Sequence, residues 1–185
     1  TQLYDPFCGS GTFLIEAAYK AKNIAPGIYR RFAAEKWDCL PSKIWQKSRE
    51  EAIEKIRKDI EFTAFGSDIS QDSLEIAEAN ARRAGISGLI RLEKADVKNF
   101  TIPDRKSLVV TNPPYGERLM NGEDLTKLYQ TMGNVFQPSQ QSAYYIISSA
   151  EDFEQGFGRK ANKKRKLYNG MLKCNLYQYF AQKSK

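Results

Sequence analysis

Histidine is absent from the 185 residues. That excludes a histidine-dependent catalytic triad, a histidine-ligated zinc or haem site and an imidazole proton relay. Cysteine is scarce. Cys8, Cys39 and Cys174 are far apart and match no metal-ligand spacing, so a reduced, cytosolic protein without a disulfide framework is expected. No apolar run approaches the roughly 18 residues of a membrane span, which predicts a protein without one. The chain opens on Thr1 with no signal-peptide pattern after it and reads as a fragment of a longer protein. Acidic residues stop at Glu154, and residues 155–185 hold nine basic side chains and no acid. The net charge of +7 is therefore one C-terminal block, densest at Arg159, Lys160, Lys163, Lys164, Arg165 and Lys166. Such a run is either a solvated face or a phosphate-contacting one, in which each neutralised phosphate releases counterions.

What is present alternates. Short apolar runs at residues 3–5, 62–68, 89–94, 108–111 and 143–148 read as strands, separated by helical patterns starting at 12 and spanning 42–58, 70–84 and 125–136. Ser70 is placed to cap one helix and Gly85 to close it. Residues 164–168 and 172–180 read as two more strands joined through Asn169-Gly170, with Tyr168, Tyr177, Tyr179 and Phe180 as strand core. The pattern predicts one α/β domain over residues 1–185, with a mostly parallel sheet, helices on both faces and an antiparallel C-terminal hairpin. Residues 23–60 form an insertion, irregular around Pro26, Gly27 and Pro41.

Two motifs carry chemistry. Asp5-Pro6-Phe7-Cys8-Gly9-Ser10-Gly11-Thr12 turns a strand through glycines into a helix N-terminus, where a ligand can approach the backbone closely. Leu14 stands where a dinucleotide fingerprint needs its third glycine, and there is no Walker phosphate loop. An acid ahead of the glycines suits a cationic ligand better than a pyrophosphate. Asp68 and Asp96 follow the next two strands. Singly each acid is a helix cap or turn former; three at successive strand ends suggest one bound nucleoside, with Asp68 on its ribose hydroxyls. The second motif is Asn112-Pro113-Pro114-Tyr115, after the fourth strand. Two prolines make a stiff turn without donors. An amide oxygen, proline carbonyls and an aromatic face on such a loop suit an aromatic amino group.

With A-D-V at residues 95–97, these motifs resemble the class I S-adenosylmethionine-dependent methyltransferases that act on exocyclic amino groups of nucleobases. Residues 23–27, 32–37, 112–119 (N-P-P-Y-G-E-R-L) and 164–170 narrow the resemblance. They are similar to the THUMP-associated enzymes that make N2-methylguanine in large-subunit ribosomal RNA, often labelled N6-adenine-specific DNA methylases. The resemblance covers nearly the whole chain and implies a Rossmann-like fold with a seven-stranded sheet. The family's RNA-binding THUMP domain, and the segment ahead of its first strand, are expected to lie outside this sequence.

The resemblance implies S-adenosylmethionine as cofactor, held by Asp5, Cys8, Gly9, Gly11, Thr12, Asp68, Ile69, Asp96, Val97 and Asn112. It implies no metal, no membrane association and a ribosomal RNA partner, contacted through Lys163, Lys164, Arg165 and Lys166. Catalysis would fall to Asn112, Pro113, Pro114 and Tyr115, with the Asn112 amide oxygen and Pro113 carbonyl accepting the amine's two N–H bonds. Tyr115 would stack on a base swung out of its helix. Cys8 reads as a small buried filler. The rival readings are a DNA adenine-N6 methyltransferase, which would normally bring a target-recognition region, and an inactive RNA-binding module. Arg30, Arg31 and Trp37 of the insertion either line the substrate cleft or pack as a lid.

Overall fold

The computed structural model describes residues 2–101, 105–115 and 122–181. Seven strands form one sheet: β1 (Gln2–Asp5), β2 (Ala64–Asp68), β3 (Ile90–Lys94), β4 (Ser107–Thr111), β5 (Ser142–Ser148), β6 (Lys163–Asn169) and β7 (Leu172–Tyr179). Their order is β3-β2-β1-β4-β5-β7-β6. The first five are parallel, and β7 runs antiparallel to both β5 and β6. Chain order reverses between β1 and β4, so the crevice outside their carboxyl ends is the natural ligand site of such a sheet.

Helices α1 (Thr12–Lys22), α2 (Ser42–Glu54), α3 (Gln71–Arg83), α4 (Gly122–Val135) and α5 (Phe153–Phe157) connect the strands. Leu74, Ala77 and Ala81 recur at helical spacing and give α3 its buried stripe. Ser70 caps it by accepting the Ser73 N–H at 3.2 Å, and Gly85 follows in the left-handed region at φ 71°. Leu14 and Ala18 of α1 join Leu74 and Ala81 of α3 over Leu3, Ala64 and Ile90 on one face of the sheet. On the other, Tyr129 and Met132 of α4, Phe136, and Phe153 and Phe157 of α5 cover Val109, Tyr144, Ile146, Tyr177 and Tyr179. Phe136 is fully buried, stacked on Tyr144 at 5.3 Å and edge-on to Phe100 at 5.7 Å. Phe136→Ala is expected to destabilise the fold by about 3–5 kcal/mol in equilibrium urea unfolding, because ring contacts on several sides are lost with the volume.

Boundaries moved where tertiary contacts intervene. Helix α2 stops at Glu54 rather than near residue 58. The Lys55 carbonyl accepts from Asn23 Nδ2 at 2.9 Å, and the Arg57 N–H donates to the Lys22 carbonyl at 2.8 Å, drawing the chain back to the end of α1. Helix α5 has no sequence periodicity to announce it, being a single turn over Phe153 and Phe157 closed by Gly158 at φ 76°. The hairpin turn is Gly170-Met171 rather than Asn169-Gly170: Asn169 pairs with Leu172 as a strand residue, and Gly170 takes the positive φ of 61°. Tyr177 and Tyr179 are buried as expected. Tyr168 and Phe180 are not, at 63% and 45% exposure, since β6 is an edge strand and Phe180 lies past the end of β7. Among the described residues no helix is long and apolar enough to cross a membrane.

Candidate active site

The strand tips form two adjoining cavities that share Asp5. One, of about 450 Å³, is lined by Phe7, Cys8, Gly9, Thr12, Asn112 and Tyr115, and closed by Leu167, Tyr168, Asn169 and Cys174 of the hairpin. The other, of about 660 Å³, runs along β2 and β3 past Phe65, Arg91 and Glu93 to the strand ends at Pro6, Ala95 and Asp96; Asp68 and Ile69 line neither cavity. The two chemistry-bearing motifs, more than a hundred residues apart in the chain, therefore meet at one crevice.

The glycine turn is built without side-chain crowding. Gly9 has φ 50° and open space where a Cβ would stand; Gly11, at φ 80°, caps α1 and sits against Ala77. The turn is pinned from β2: the Cys8 N–H donates to the Ser67 carbonyl at 3.0 Å and the Gly9 N–H to Asp68 Oδ2 at 3.0 Å. Asp68 Oδ1 accepts from the Ser70 N–H at 2.9 Å, so this carboxylate organises the turn and the start of α3 together. Beside it Ile69 is exposed, an apolar side chain at a strand tip.

Asp5 is almost fully buried, and its Oδ1 accepts from the Thr111 hydroxyl at 2.7 Å and the Phe7 N–H at 3.2 Å. Burial is the largest influence on its carboxyl, which is pushed up to about 7 although both hydrogen bonds oppose the shift. Burial, with Asp5 and Asp68 adding to it, likewise pushes the Cys8 thiol up to about 12. At neutral pH Cys8 is a protonated filler with no nucleophilic thiolate. Asp96 behaves oppositely. The Lys98 backbone N–H, at 2.9 Å from Oδ1, holds its carboxyl below the usual range, and the Lys98 ammonium lies 3.1 Å from Oδ2. Val97 follows it with its side chain buried in the core beneath α4.

Asn112 is exposed at the mouth of the first cavity, Pro113 is buried, and Pro114 and Tyr115 are half-buried. Residues 116–119 of the N-P-P-Y-G-E-R-L segment lie outside the described residues. Of the four basic residues on β6, Lys163 and Arg165 share a strand face with Leu167 and Asn169, two of the three β6 residues that line the cavity; the third, Tyr168, is on the opposite face. Lys164 and Lys166 alternate to the other face, where Lys164 pairs with Glu154 at 2.7 Å and Lys166 stands 5.1 Å from the Tyr168 ring. Arg30, Arg31 and Trp37 border neither cavity. The insertion is fastened at the far end of α1, about 16 Å from the glycine turn at 1.5 Å per residue.

Thr111, Leu167, Asn169 and Cys174 line or support the site without a site role assigned from sequence. Thr111 carries a signal, being a polar residue at the tip of a buried strand directly before Asn112. Residues 164–170 carry the family resemblance and Asn169 a turn signal, but only the antiparallel pairing of β7 with β5 brings the hairpin to the cavity.

Sheet order, a glycine turn at the switch point and acids at successive strand tips define a class I, Rossmann-like methyltransferase domain. The chain belongs to the RMKL-like methyltransferase domain family, whose model matches residues 1–178. It is 44% identical over 178 residues to "Putative RNA methyltransferase YpsC" of Bacillus subtilis (strain 168), covering 96% of this chain and 46% of that protein. It is 39% identical over 191 residues to "Ribosomal RNA large subunit methyltransferase K/L" of Shewanella baltica (strain OS185), covering 99% of this chain and 27% of that one. The crystal structure of SMU.472 complexed with SAH superposes with a TM-score of 0.95 at 42% identity, over 100% of this chain and 49% of that chain. The chain thus spans about half the length, or less, of the relatives it matches.

SMU.472 carries SAH, the demethylated form of the methyl donor S-adenosylmethionine. The residues present in this chain fit that group. Gly9 offers backbone without a side chain in the way, and Asp5, whose Oδ1 carries both of its hydrogen bonds among the described residues, can face an ammonium or sulfonium. The second cavity offers room for a nucleoside beside Asp96.

Proposed function

We propose that this chain is the methyl-transferring part of an RNA methyltransferase whose target is the exocyclic N2 of a guanine in large-subunit ribosomal RNA, acting in the cytoplasm. One observation supports the chemistry above all: Asn112 and Tyr115 line the same cavity as Cys8, Gly9 and Asp5. An acceptor-rich corner thereby adjoins the place suited to a cationic group. The names of YpsC and of the K/L relatives favour RNA, and ribosomal RNA among RNAs.

When bound, S-adenosylmethionine supplies a methyl group activated by its sulfonium. The chain's own residues do the rest. Asp5 and the turn from Cys8 to Gly11 hold the methionine end, with Thr12 opening the helix beside them. Asp68 takes the ribose hydroxyls, Ile69 covers an adenine face, and Asp96 accepts from the adenine amino group with Val97 next to it. An aromatic amine is a weak nucleophile because its lone pair is delocalised into the ring. The Asn112 side-chain oxygen and the Pro113 carbonyl accept its two N–H bonds and turn that lone pair toward the methyl group. Pro114 keeps the corner rigid, and Tyr115 stacks on the extruded base. Orientation of this kind is worth several kcal/mol, up to roughly 7–11 at its limit. A tuned general base is not needed, since the methylated ammonium loses its proton readily.

Methyl transfer to unmodified ribosomal RNA and to unmethylated duplex DNA, measured in parallel, tests the substrate. Modification of RNA is expected; modification of DNA alone would give the assignment to the adenine-N6 reading. Titration with S-adenosylmethionine addresses the inactive-module reading, which absence of binding would favour.

For RNA contact, Lys163 and Arg165 are the better-placed pair, sharing the cavity-side face of β6. Replacing both with glutamine is expected to reduce the slope of log affinity against log salt by about 1.4, at roughly 0.7 per single-strand phosphate. Replacing Lys164 and Lys166 is expected to change it less, because Lys164 already faces Glu154. An unchanged slope in both pairs would return the block to a solvated face.

A further inference from the structure

Tyr115 is fastened at its far end by the β6–β7 hairpin. Asn169 Nδ2 donates to the Tyr115 hydroxyl oxygen at 3.1 Å, across 54 positions of sequence. The buried Cys174 thiol lies 3.9 Å from the same oxygen. Asn169 and Cys174 stand on neighbouring strands, and both line the cavity that holds Asn112. The arrangement exceeds what a turn requires: Gly170 carries the positive φ, which frees the Asn169 side chain from any local turn-forming task.

We propose that Asn169 is a positioning residue for methyl transfer, setting the plane of the Tyr115 ring before the base arrives, and that the hairpin is the outer wall of the base site. The inference rests on the reading of Tyr115 as the stacking surface. A tyrosine on a short loop would otherwise swing about two side-chain torsions, and ordering it on binding would weaken the complex. Fixing the hydroxyl removes that motion and leaves the ring faces available. The same strand carries Lys163 and Arg165, so a phosphate contact on β6 and the base site share one rigid hairpin.

The test uses the full-length protein carrying this chain, ribosomal RNA as methyl acceptor and S-adenosylhomocysteine as binding probe. Asn169→Ala is expected to lower kcat/KM for RNA by about five- to tenfold, mainly through KM, as loss of one hydrogen bond would. S-adenosylhomocysteine affinity should stay within about twofold. Asn169→Asp, whose carboxylate accepts from the Tyr115 hydroxyl, should recover most of the loss. Tyr115→Phe should match Asn169→Ala, and the double variant should be no worse than either single one. Losses that multiply in the double variant, an unaffected Asn169→Ala, or an equal fall in S-adenosylhomocysteine affinity would overturn the proposal. The underlying reading fails separately, if Tyr115→Ala transfers methyl at the parent rate. The contact itself is read without catalysis, as a shift of the Asn169 side-chain amide resonances in Tyr115→Phe.

Discussion

Asn112→Ala is expected to cut methyl transfer by about 10²–10³-fold while changing S-adenosylmethionine affinity by less than about threefold. The separation follows from where the residue stands. Asn112 is exposed at the cavity mouth, so truncating it opens no hole in the core. The groups suited to the cofactor, namely Asp5, the glycine turn, Asp68 and Asp96, belong to β1, β2, β3 and the turns after them. The buried Pro113 keeps the corner in place. What disappears is one of two acceptors that orient the amine. Turnover on RNA and calorimetric titration of the cofactor measure the two quantities independently. If both fell together, Asn112 would be a cofactor residue first, and the amine-orienting role would have to move elsewhere.

The second large effect is a dependence of stability on pH centred on Asp5. Its carboxyl titrates near 3.8 in an unfolded chain and is pushed up to about 7 in the fold by burial. The folded state therefore holds this proton more tightly. Stability from the protonated acid is fully present below about pH 4 and is lost as pH rises through about 7. At 1.36 kcal/mol per unit, a rise of this size corresponds to roughly 4 kcal/mol over that window. Asp5→Asn keeps an oxygen for the Thr111 hydroxyl but cannot ionise. The variant is expected to show a flatter stability profile between about pH 5 and 8 and to be the more stable protein at the alkaline end, while binding the cofactor more weakly. Urea unfolding across that range reads the slope. Parallel curves for the two proteins would remove Asp5 as its source. The same burial has a functional side. A cation arriving next to Asp5 favours the carboxylate, so cofactor binding near neutral pH should release a proton, visible as a buffer-dependent binding enthalpy.

The alternation of β and α periods required a mostly parallel sheet covered on both faces, and the antiparallel hairpin was legible in the last two strands with their turn pair. Elements held by local chemistry came out close to their observed limits. Ser70 and Gly85 bound α3 because capping depends on neighbours in sequence. The short helix α5 was lost because five residues carry too little periodicity. Arg30, Arg31 and Trp37 suit a cleft lining and a lid equally well in sequence, because no local pattern distinguishes the two. Tertiary structure fastens the insertion to the far end of α1 and leaves these three residues outside both cavities.

What the sequence determined by itself is what short stretches of backbone enforce. Glycines at 9 and 11 permit a turn that other residues resist, two prolines lock the corner after Asn112, and period-two and helical patterns dictate which face of each element turns inward. Tertiary structure alone decided which distant groups became partners. Thr111 reached Asp5 because β4 pairs with β1, and Asn169 reached Tyr115 because β7 folds back antiparallel on β5. Those contacts depend on strand order and register over separations of 106 and 54 residues, which no local pattern encodes.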